Sequence, residues 1–289
     1  MRGGCHTPKF IQISTHTPVG LVHRTTSGFV EKSVLENKMA GISLHWISSI
    51  CLPFIALLFI CTLENVACWE DLDFSKYHHY QDVDSLLHSY EKRFPNLAKV
   101  GSIGKSGEGR ELYYIQISDN VTTTEPGEPW FKYVGNIHGN EAVGRELIVY
   151  LIQYLLENYE TDARVKKLVD NTNIFLMPSA NPDGFEAARL GVTRATTWSA
   201  DDSCVGVLGR PNANKVDLNR NFPDQFREFA NDKIQPETQA LINWIEGNKF
   251  VLSANLHGGS VVASYPFDDS KRHPQGHVYS ASPDDAIFR

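Results

Sequence analysis

The spacing of apolar residues changes from strand-like to helical within one stretch, Tyr133–Tyr150. Aromatic and β-branched residues are concentrated at its start and just ahead of it, from Trp130, and they predict a strand. From Val143 onward, apolar residues recur at helical spacing and predict a helix. The polar residues between the two patterns are therefore expected in the turn where a strand ends and a helix begins.

The same criteria predict an alternation of strands and helices along the rest of the chain. The predicted elements are a helix that ends before Pro95, a hairpin of Lys99–Ile103 and Leu112–Ile117, a strand at Asn173–Pro178, a helix at Pro236–Ile245 and a strand at Phe250–Leu256. Residues 179–235 are predicted to be mostly loop. This order predicts an α/β fold, with a mixed, mostly parallel twisted sheet and helices on both faces.

Two residues in the predicted turn can bind a metal ion. His138 and Glu141 are three residues apart, so their side chains lie on one side of a turn that opens a helix. A catalytic zinc takes three nitrogen or oxygen ligands and keeps a fourth position for water. The pair therefore needs a third ligand from elsewhere in the chain.

His257 is the candidate for that third ligand. It follows directly on the predicted strand Phe250–Leu256, much as His138 follows the strand before it. In open α/β sheets, ligands bind just outside the carboxyl ends of the strands. Because both histidines fall at such ends, the sequence predicts a single zinc site.

Composition limits the partners of this chain. The 289 residues, 42% of them hydrophobic, can bury a sizeable core as one domain. The formal net charge is −7 and no basic run is present, so we expect no nucleic-acid partner. None of the five cysteines forms a CxxC pair, which argues against a thiolate zinc site.

The N-terminal part differs from the rest of the chain. Residues 1–38 are polar and lack periodicity, so we expect no regular structure there. Residues 39–68 hold a short apolar run followed by small residues, which is typical of a secretory signal peptide; a signal anchor is the alternative. Residues 69–289 are expected to form the globular domain. In a secreted chain, Asn120 in Asn-Val-Thr is a glycosylation site.

The long predicted loop carries candidate binding residues in Asp217-Leu-Asn-Arg-Asn-Phe222. Arg220 can offer a carboxylate two parallel hydrogen bonds, and Asn219 adds a donor and an acceptor. The alternative is an exposed ion pair between Arg220 and Asp217 or Asp224. The position of the cluster in the wall of a predicted zinc cleft favours the binding role.

Five motifs, taken together, resemble a known family. HGNE, NPDGFE, DLNRNFPD, PET and SANLHGGSVVASYPFDD occur in this order and are similar to those of zinc metallocarboxypeptidases related to carboxypeptidases D, M, E and N. The resemblance covers Tyr77–Arg289. It implies the zinc carboxypeptidase fold and a zinc exopeptidase of the secretory pathway, extracellular or membrane-associated, that removes C-terminal Lys or Arg from peptides and proteins.

The resemblance also implies which residues form the site. His138, Glu141 and His257 match the ligands of a single zinc ion. Asn219 and Arg220 match the pair that holds the terminal carboxylate of the substrate.

Two further residues match family positions. Arg210 matches the arginine that polarises the scissile carbonyl. Asp268, in YPFDD, matches the acidic residue at the base of the pocket for C-terminal Lys or Arg; the alternative is a turn residue. We favour the pocket role because a buried cation is retained only when it is paired.

The chain departs from the family in one respect. The family's general-base glutamate and a mobile tyrosine lie downstream of YPFDD, and no residue here matches either; Glu146 and Glu186 are expected to be structural. The resemblance therefore implies a fold incomplete at the C-terminus, with an apolar sheet edge left bare. It also implies that the β-sandwich domain and the partner of Cys204 are missing. Membrane attachment would need a signal anchor or that missing part.

Three functions follow from these observations. The first is the zinc exopeptidase, although the chain as given is expected to be a poor catalyst without a general base. The second is a non-catalytic, peptide-binding or inactive truncated relative that keeps the ligands and the carboxylate clamp. The third is a small-molecule amidohydrolase, against which Asp268 and the clamp argue.

Overall fold

The computed structural model describes residues 10–15, 72–73, 76–191, 208–226, 233–259, 261–270 and 279–288. The described residues 10–15 and those from 76 onward belong to one compact unit. The predicted signal segment at residues 39–68 and Cys204 lie outside the described residues. Within the described part of the chain, no helix is both long and apolar enough to cross a membrane.

The described elements alternate between strands and helices. The strands are β1 (Phe10–Thr15), β2 (Ala98–Lys105), β3 (Glu111–Ile117), β4 (Trp130–Gly135), β5 (Asn173–Met177), β6 (Phe250–Gly258) and β7 (Val262–Ser264). The helices are α1 (Tyr80–Arg93), α2 (Ala142–Glu157), α3 (Ala163–Val169), α4 (Pro182–Gly191), α5 (Pro236–Glu246) and α6 (Asp285–Phe288), with a 3₁₀ turn at Leu218–Arg220.

The strands form one mixed sheet in the order β2-β3-β5-β4-β6-β1-β7. The four central strands, β5, β4, β6 and β1, are parallel to one another, and the pairs on either side of them are antiparallel. The predicted mixed α/β fold is confirmed. Its parallel part is confined to the centre, where the carboxyl ends of β4 and β6 come to the same edge of the sheet.

Helices cover both faces of the sheet, as predicted, because neighbouring strand residues face opposite sides. On one face, Val134 belongs to a core cluster with Phe175 of β5 and Trp244 of α5. On the other face, a Cβ added to Gly135 would lie 3.0 Å from Cδ1 of Ile148 in α2. The absence of a side chain at Gly135 therefore lets α2 lie close to the end of β4.

The prediction that residues 179–235 are mostly loop is wrong for α4. Asn181 ends the preceding turn, and its Oδ1 accepts a hydrogen bond from the backbone N–H of Gly184 at 2.9 Å. Pro182 is the first residue of the helix, where a missing N–H costs nothing. The residues Asn-Pro-Asp-Gly at positions 181–184 are also typical of a turn. The sequence pattern therefore favoured a loop over a helix.

The expectation of no regular structure in residues 1–38 is wrong for β1. Phe10–Thr15 pairs in parallel with β6, from Phe10 opposite Ser253 to Thr15 opposite Gly258. On its other side β1 pairs antiparallel with β7. β6 therefore has a hydrogen-bonded neighbour, β1, on the side away from β4. Alternation of Ile11 and Ile13 with polar residues was the signal, but six residues are too few to separate it from chance.

Candidate metal centre

His138 and Glu141 lie in the turn between β4 and α2, as the sequence predicted. β4 ends at Gly135, and α2 begins at Ala142. His257 is the penultimate residue of β6, the parallel neighbour of β4. His138 and His257 are both buried, with 3% and 4% of their surfaces exposed. The sheet thus brings two distant histidines to one edge.

The three side chains point their ligand atoms at one another. His138 Nδ1 lies 2.8 Å from Glu141 Oε1, and His257 Nδ1 lies 2.9 Å from Glu141 Oε2. The two Nδ1 atoms are 3.2 Å apart. Two ligands at the usual distance from a tetrahedral zinc are about 3.3 Å apart. Among the described residues, these three form the group of His, Cys and acidic side chains that could hold a metal ion.

Glu141 is held ionised at the centre of this group. Burial raises the pKa of Glu141, but hydrogen bonds and the charges of His138 and His257 outweigh burial and lower it to about 2. The backbone N–H of Gly258 also donates to Glu141 Oε2, at 3.0 Å. This carboxylate and the two Nδ1 atoms, once the imidazoles have lost their extra protons, are a suitable donor set for zinc. The residues present therefore fit this metal.

Asp217 orients the far side of His138, a role that the sequence patterns did not reveal. Its Oδ1 lies 3.2 Å from His138 Nε2, and its Oδ2 lies 3.1 Å from Arg210 Nη2. Burial raises the pKa of Asp217, but His138, Arg210 and Arg220 lower it by more, to below its usual range. A carboxylate on the second nitrogen of a metal-binding histidine fixes the tautomer and the ring orientation.

The family model for zinc carboxypeptidases matches residues 83–289, which include all three members of this group. The chain belongs to the zinc carboxypeptidase family.

Curated relatives support the same assignment. The chain is 52% identical to human carboxypeptidase D over 213 residues, which are 74% of this chain and 14% of that protein. It is 44% identical to mouse carboxypeptidase M over 220 residues and 41% identical to the human carboxypeptidase N catalytic chain over 237 residues. These matches cover 75% and 74% of this chain. The chain spans 46% of that carboxypeptidase M and 50% of that carboxypeptidase N chain.

Solved structures show the zinc carboxypeptidase fold. Carboxypeptidase A from Helicoverpa armigera superposes with a TM-score of 0.52 at 26% identity, over 72% of this chain and 53% of that one. Thrombin activatable fibrinolysis inhibitor superposes with a TM-score of 0.54 at 17% identity, over 74% of this chain and 53% of that one. The second match supports the fold alone.

Arg210 lies beside the candidate metal ligands. Its Nη1 is 3.4 Å from Glu141 Oε1, and its backbone oxygen accepts a hydrogen bond from Gly139 N at 3.3 Å. A Cβ on Gly139 would lie 2.1 Å from the backbone of Gly184 and 2.4 Å from the oxygen of Gly209. Close backbone contact between three segments therefore fixes Arg210 against the ligand-bearing turn.

Asn219 and Arg220 follow Asp217 in the 3₁₀ turn at Leu218–Arg220. Asp217 caps this turn, because its Oδ1 accepts a hydrogen bond from Asn219 N at 2.9 Å. Arg220 is exposed, and its Nη1 donates to the backbone oxygen of Asn219 at 3.1 Å. The predicted alternative was an ion pair between Arg220 and Asp217 or Asp224. Neither pair is formed among the described residues, and Asp217 pairs with Arg210 instead. The guanidinium of Arg220 therefore faces solvent.

The remaining candidate residues form no hydrogen bond or ion pair with the three candidate ligands in the described part of the chain. Asp268 is exposed, and in the described part of the chain it forms no ion pair. Glu146 is buried and holds His78 Nδ1 at 2.7 Å, while Glu186 accepts a hydrogen bond from Tyr80 N at 2.9 Å. These contacts favour the structural role expected for both glutamates.

Proposed function

We propose that this chain is a zinc-dependent exopeptidase that removes C-terminal Lys or Arg from peptides and proteins. The observation that carries the proposal is the convergence of His138, Glu141 and His257, with Arg210 3.4 Å from Glu141. Zinc bound in such a site acts as a Lewis acid towards a carbonyl oxygen and activates water. The chain's own residues would place the last peptide bond of the substrate against it.

Arg210 is suited to stabilise charge on the scissile carbonyl. It is partly buried, which strengthens its electrostatic effect, and Asp217 and the backbone contacts of Gly139 hold it in place. Donors that are fixed before the reaction, and aimed at the oxygen where negative charge develops, stabilise the transition state. We assign this role to Arg210.

Asn219 and Arg220 would bind the free carboxylate at the end of the substrate. An exposed guanidinium with no carboxylate bound to it in the described residues can form two parallel hydrogen bonds with an incoming one. The demand for such a group would limit cleavage to the last residue. This is the feature that separates an exopeptidase from a general peptidase.

The proposal predicts that hydrolysis requires a free C-terminus. A peptide that ends in arginine with a free carboxylate should have a kcat/KM about 10- to 150-fold higher than the same peptide with a C-terminal amide. This factor corresponds to the free energy of hydrogen bonds to a charged group. Arg220→Ala should remove this difference, whereas Lys215→Asn, which removes a nearby exposed cation, should keep it. Mass spectrometry of the released residue measures both rates. Equal cleavage of the two peptides by the unchanged protein would contradict the proposal.

A peptide-binding protein without turnover is the second candidate. The observation in its favour is that Asp217 already binds His138 and Arg210. In the described part of the chain, Asp217 is the carboxylate besides Glu141 that is hydrogen-bonded to a candidate ligand. It lies at Nε2 of His138, on the far side of the imidazole ring from the other two ligands. It is therefore badly placed to accept a proton from water at the ligands. Binding of the free-carboxylate peptide with no release of arginine would support this candidate.

Selectivity for a cationic residue is proposed to depend on Asp268. Because this carboxylate is exposed, its pair with a substrate cation is worth up to about 1 kcal/mol, or roughly fivefold in kcat/KM. Asp268→Asn should lower the ratio for arginine over leucine substrates by about that factor. The neighbouring change Asp269→Asn is the control and should leave the ratio unchanged. An unchanged ratio in Asp268→Asn would remove this residue from the specificity site.

We also propose that the protein enters the secretory pathway, where Asn120 would be glycosylated. The apolar run in residues 39–68 supports this, and so does the local geometry of the sequon. Thr122 Oγ1 donates to Asn120 Oδ1 at 2.8 Å in the loop after β3. Substrates would then be extracellular or lumenal peptides, and nucleic acid is not an expected partner.

A further inference from the structure

Asn136 is the residue at which β4 turns into the loop that carries the metal ligands. It follows Gly135 directly and has a backbone φ of 57°. Among the described residues other than glycine, only Asn136 and Lys215 have a positive φ. Most L-residues are strained in this region, and asparagine tolerates it because its short side chain can bond to nearby backbone. The local conformation therefore depends on what its amide group contacts.

The amide group of Asn136 binds the backbone of the ligand loop. Its Nδ2 lies 2.9 Å from the backbone oxygens of His138 and Gly139 and 3.3 Å from that of Glu141. The side chain is fully buried. One amide thus donates to the peptide groups of both loop ligands.

The oxygen of the Asn136 amide is hydrogen-bonded to the segment that follows β5. Asn136 Oδ1 accepts a hydrogen bond from Ser179 Oγ at 2.8 Å, just beyond β5, and Ser179 is itself buried. The backbone of the next residue, Ala180, donates to Gly135 at 3.0 Å. The ligand loop is therefore tied to the end of β5 through the side chain of Asn136.

We propose that Asn136 is a positioning residue of the metal centre, which sets the backbone of His138 and Glu141 so that their ligand atoms converge. His257 reaches the same point from β6, and no hydrogen bond joins it to Asn136 in the described residues. Asn136 therefore acts on two ligands of the three. The inference rests on the metal centre of the proposed function but not on any substrate.

The test is zinc affinity measured by chelator competition. Asn136→Gly keeps the positive φ and removes only the amide, and it should weaken zinc binding by about 10- to 100-fold, the usual effect of removing a partner of the ligands. Asn136→Asp should weaken it at least as much, because it replaces the donor by an oxygen that faces three carbonyl oxygens. Asn171→Gly is the matched control, since it also removes an amide that donates to a backbone oxygen, that of Lys167 at 2.8 Å, in the turn after α3.

A second measurement separates positioning from stability. A purely structural role would lower the unfolding temperature of the metal-free protein and leave the zinc affinity of the folded protein unchanged. Positioning predicts lower affinity, together with an altered absorption spectrum of the cobalt-substituted protein, in Asn136→Gly but not in Asn171→Gly. Wild-type affinity in folded Asn136→Gly would overturn the inference.

Two other outcomes also decide the matter. If Asn136→Gly does not fold, Ser179→Ala removes the bond that orients the amide, and weakened zinc binding supports the inference whereas unchanged binding overturns it. Absence of zinc binding by the unchanged protein would overturn the metal centre and this inference with it. Normal zinc binding without peptide hydrolysis would contradict the proposed catalysis and leave the role of Asn136 standing.

Discussion

Replacing His257 with alanine is expected to abolish tight zinc binding. His138 and Glu141 come from one turn, and His257 alone brings in the second segment, so its loss leaves a two-ligand site. Structural sites with four ligands bind zinc with a free energy of about 10–16 kcal/mol, or roughly 3 kcal/mol per ligand. Removal of one ligand should therefore lower the zinc affinity by at least about 100-fold. Metal analysis of the purified protein should fall from one zinc per chain to background.

The control for this prediction is His88→Ala, which removes an exposed histidine of α1 that pairs with Asp84. It should keep its zinc. Circular dichroism of both variants would show that the fold is retained. Wild-type zinc content in His257→Ala would mean that the third ligand is a different residue.

Trp244→Ala is expected to cause the largest loss of stability. The ring of Trp244, in α5, lies 5.0 Å from that of Phe250 at the start of β6 and 5.2 Å from that of Tyr114 in β3, measured between centroids. The residue is buried. Truncating a buried aromatic residue costs about 3–5 kcal/mol because the lost contacts and the cavity add.

For a domain of this size that loss lowers the unfolding temperature by about 6–20 °C. Trp244→Phe keeps an aromatic ring and is the control, with a much smaller decrease. Because Trp244 lies on the face of the sheet away from α2, the zinc affinity of the folded Trp244→Ala protein should stay near that of the unchanged protein. A similar unfolding temperature for the alanine and phenylalanine variants would show that the ring contributes little to the core.

The two predictions separate the site from the fold. The three candidate metal ligands stand at the carboxyl edge of the sheet. There Asn136 is hydrogen-bonded to the backbone of two of them, and Asp217 is hydrogen-bonded to His138. The core cluster under α5, which includes Trp244 and Phe250, packs β6 against that helix and contains none of the three candidate ligands. We therefore expect His257→Ala to lose zinc while the metal-free protein keeps its unfolding temperature. We expect Trp244→Ala to lower the unfolding temperature while the folded protein keeps its zinc affinity.

Elements with strong periodicity can be assigned from the order of amino acids alone. Long apolar patterns leave few alternatives, so three elements were predictable. They are the strands Trp130–Gly135 and Phe250–Gly258 and the helix Ala142–Glu157, which follows the first strand. The candidate ligands were also predictable. His138 and Glu141 are close in sequence, and His257 follows a strand, so general rules of strand ends placed all three together.

Which distant groups support these candidate ligands depends on the assembled fold. Asp217 is 79 residues from His138, and Ser179 is 43 residues from Asn136; no local pattern connects either pair. The position of β1 beside β6 is a further case, since a six-residue strand gains its stability from hydrogen bonds to its neighbours and not from its own propensity. Local patterns determine elements, whereas contacts between distant residues depend on how the sheet assembles.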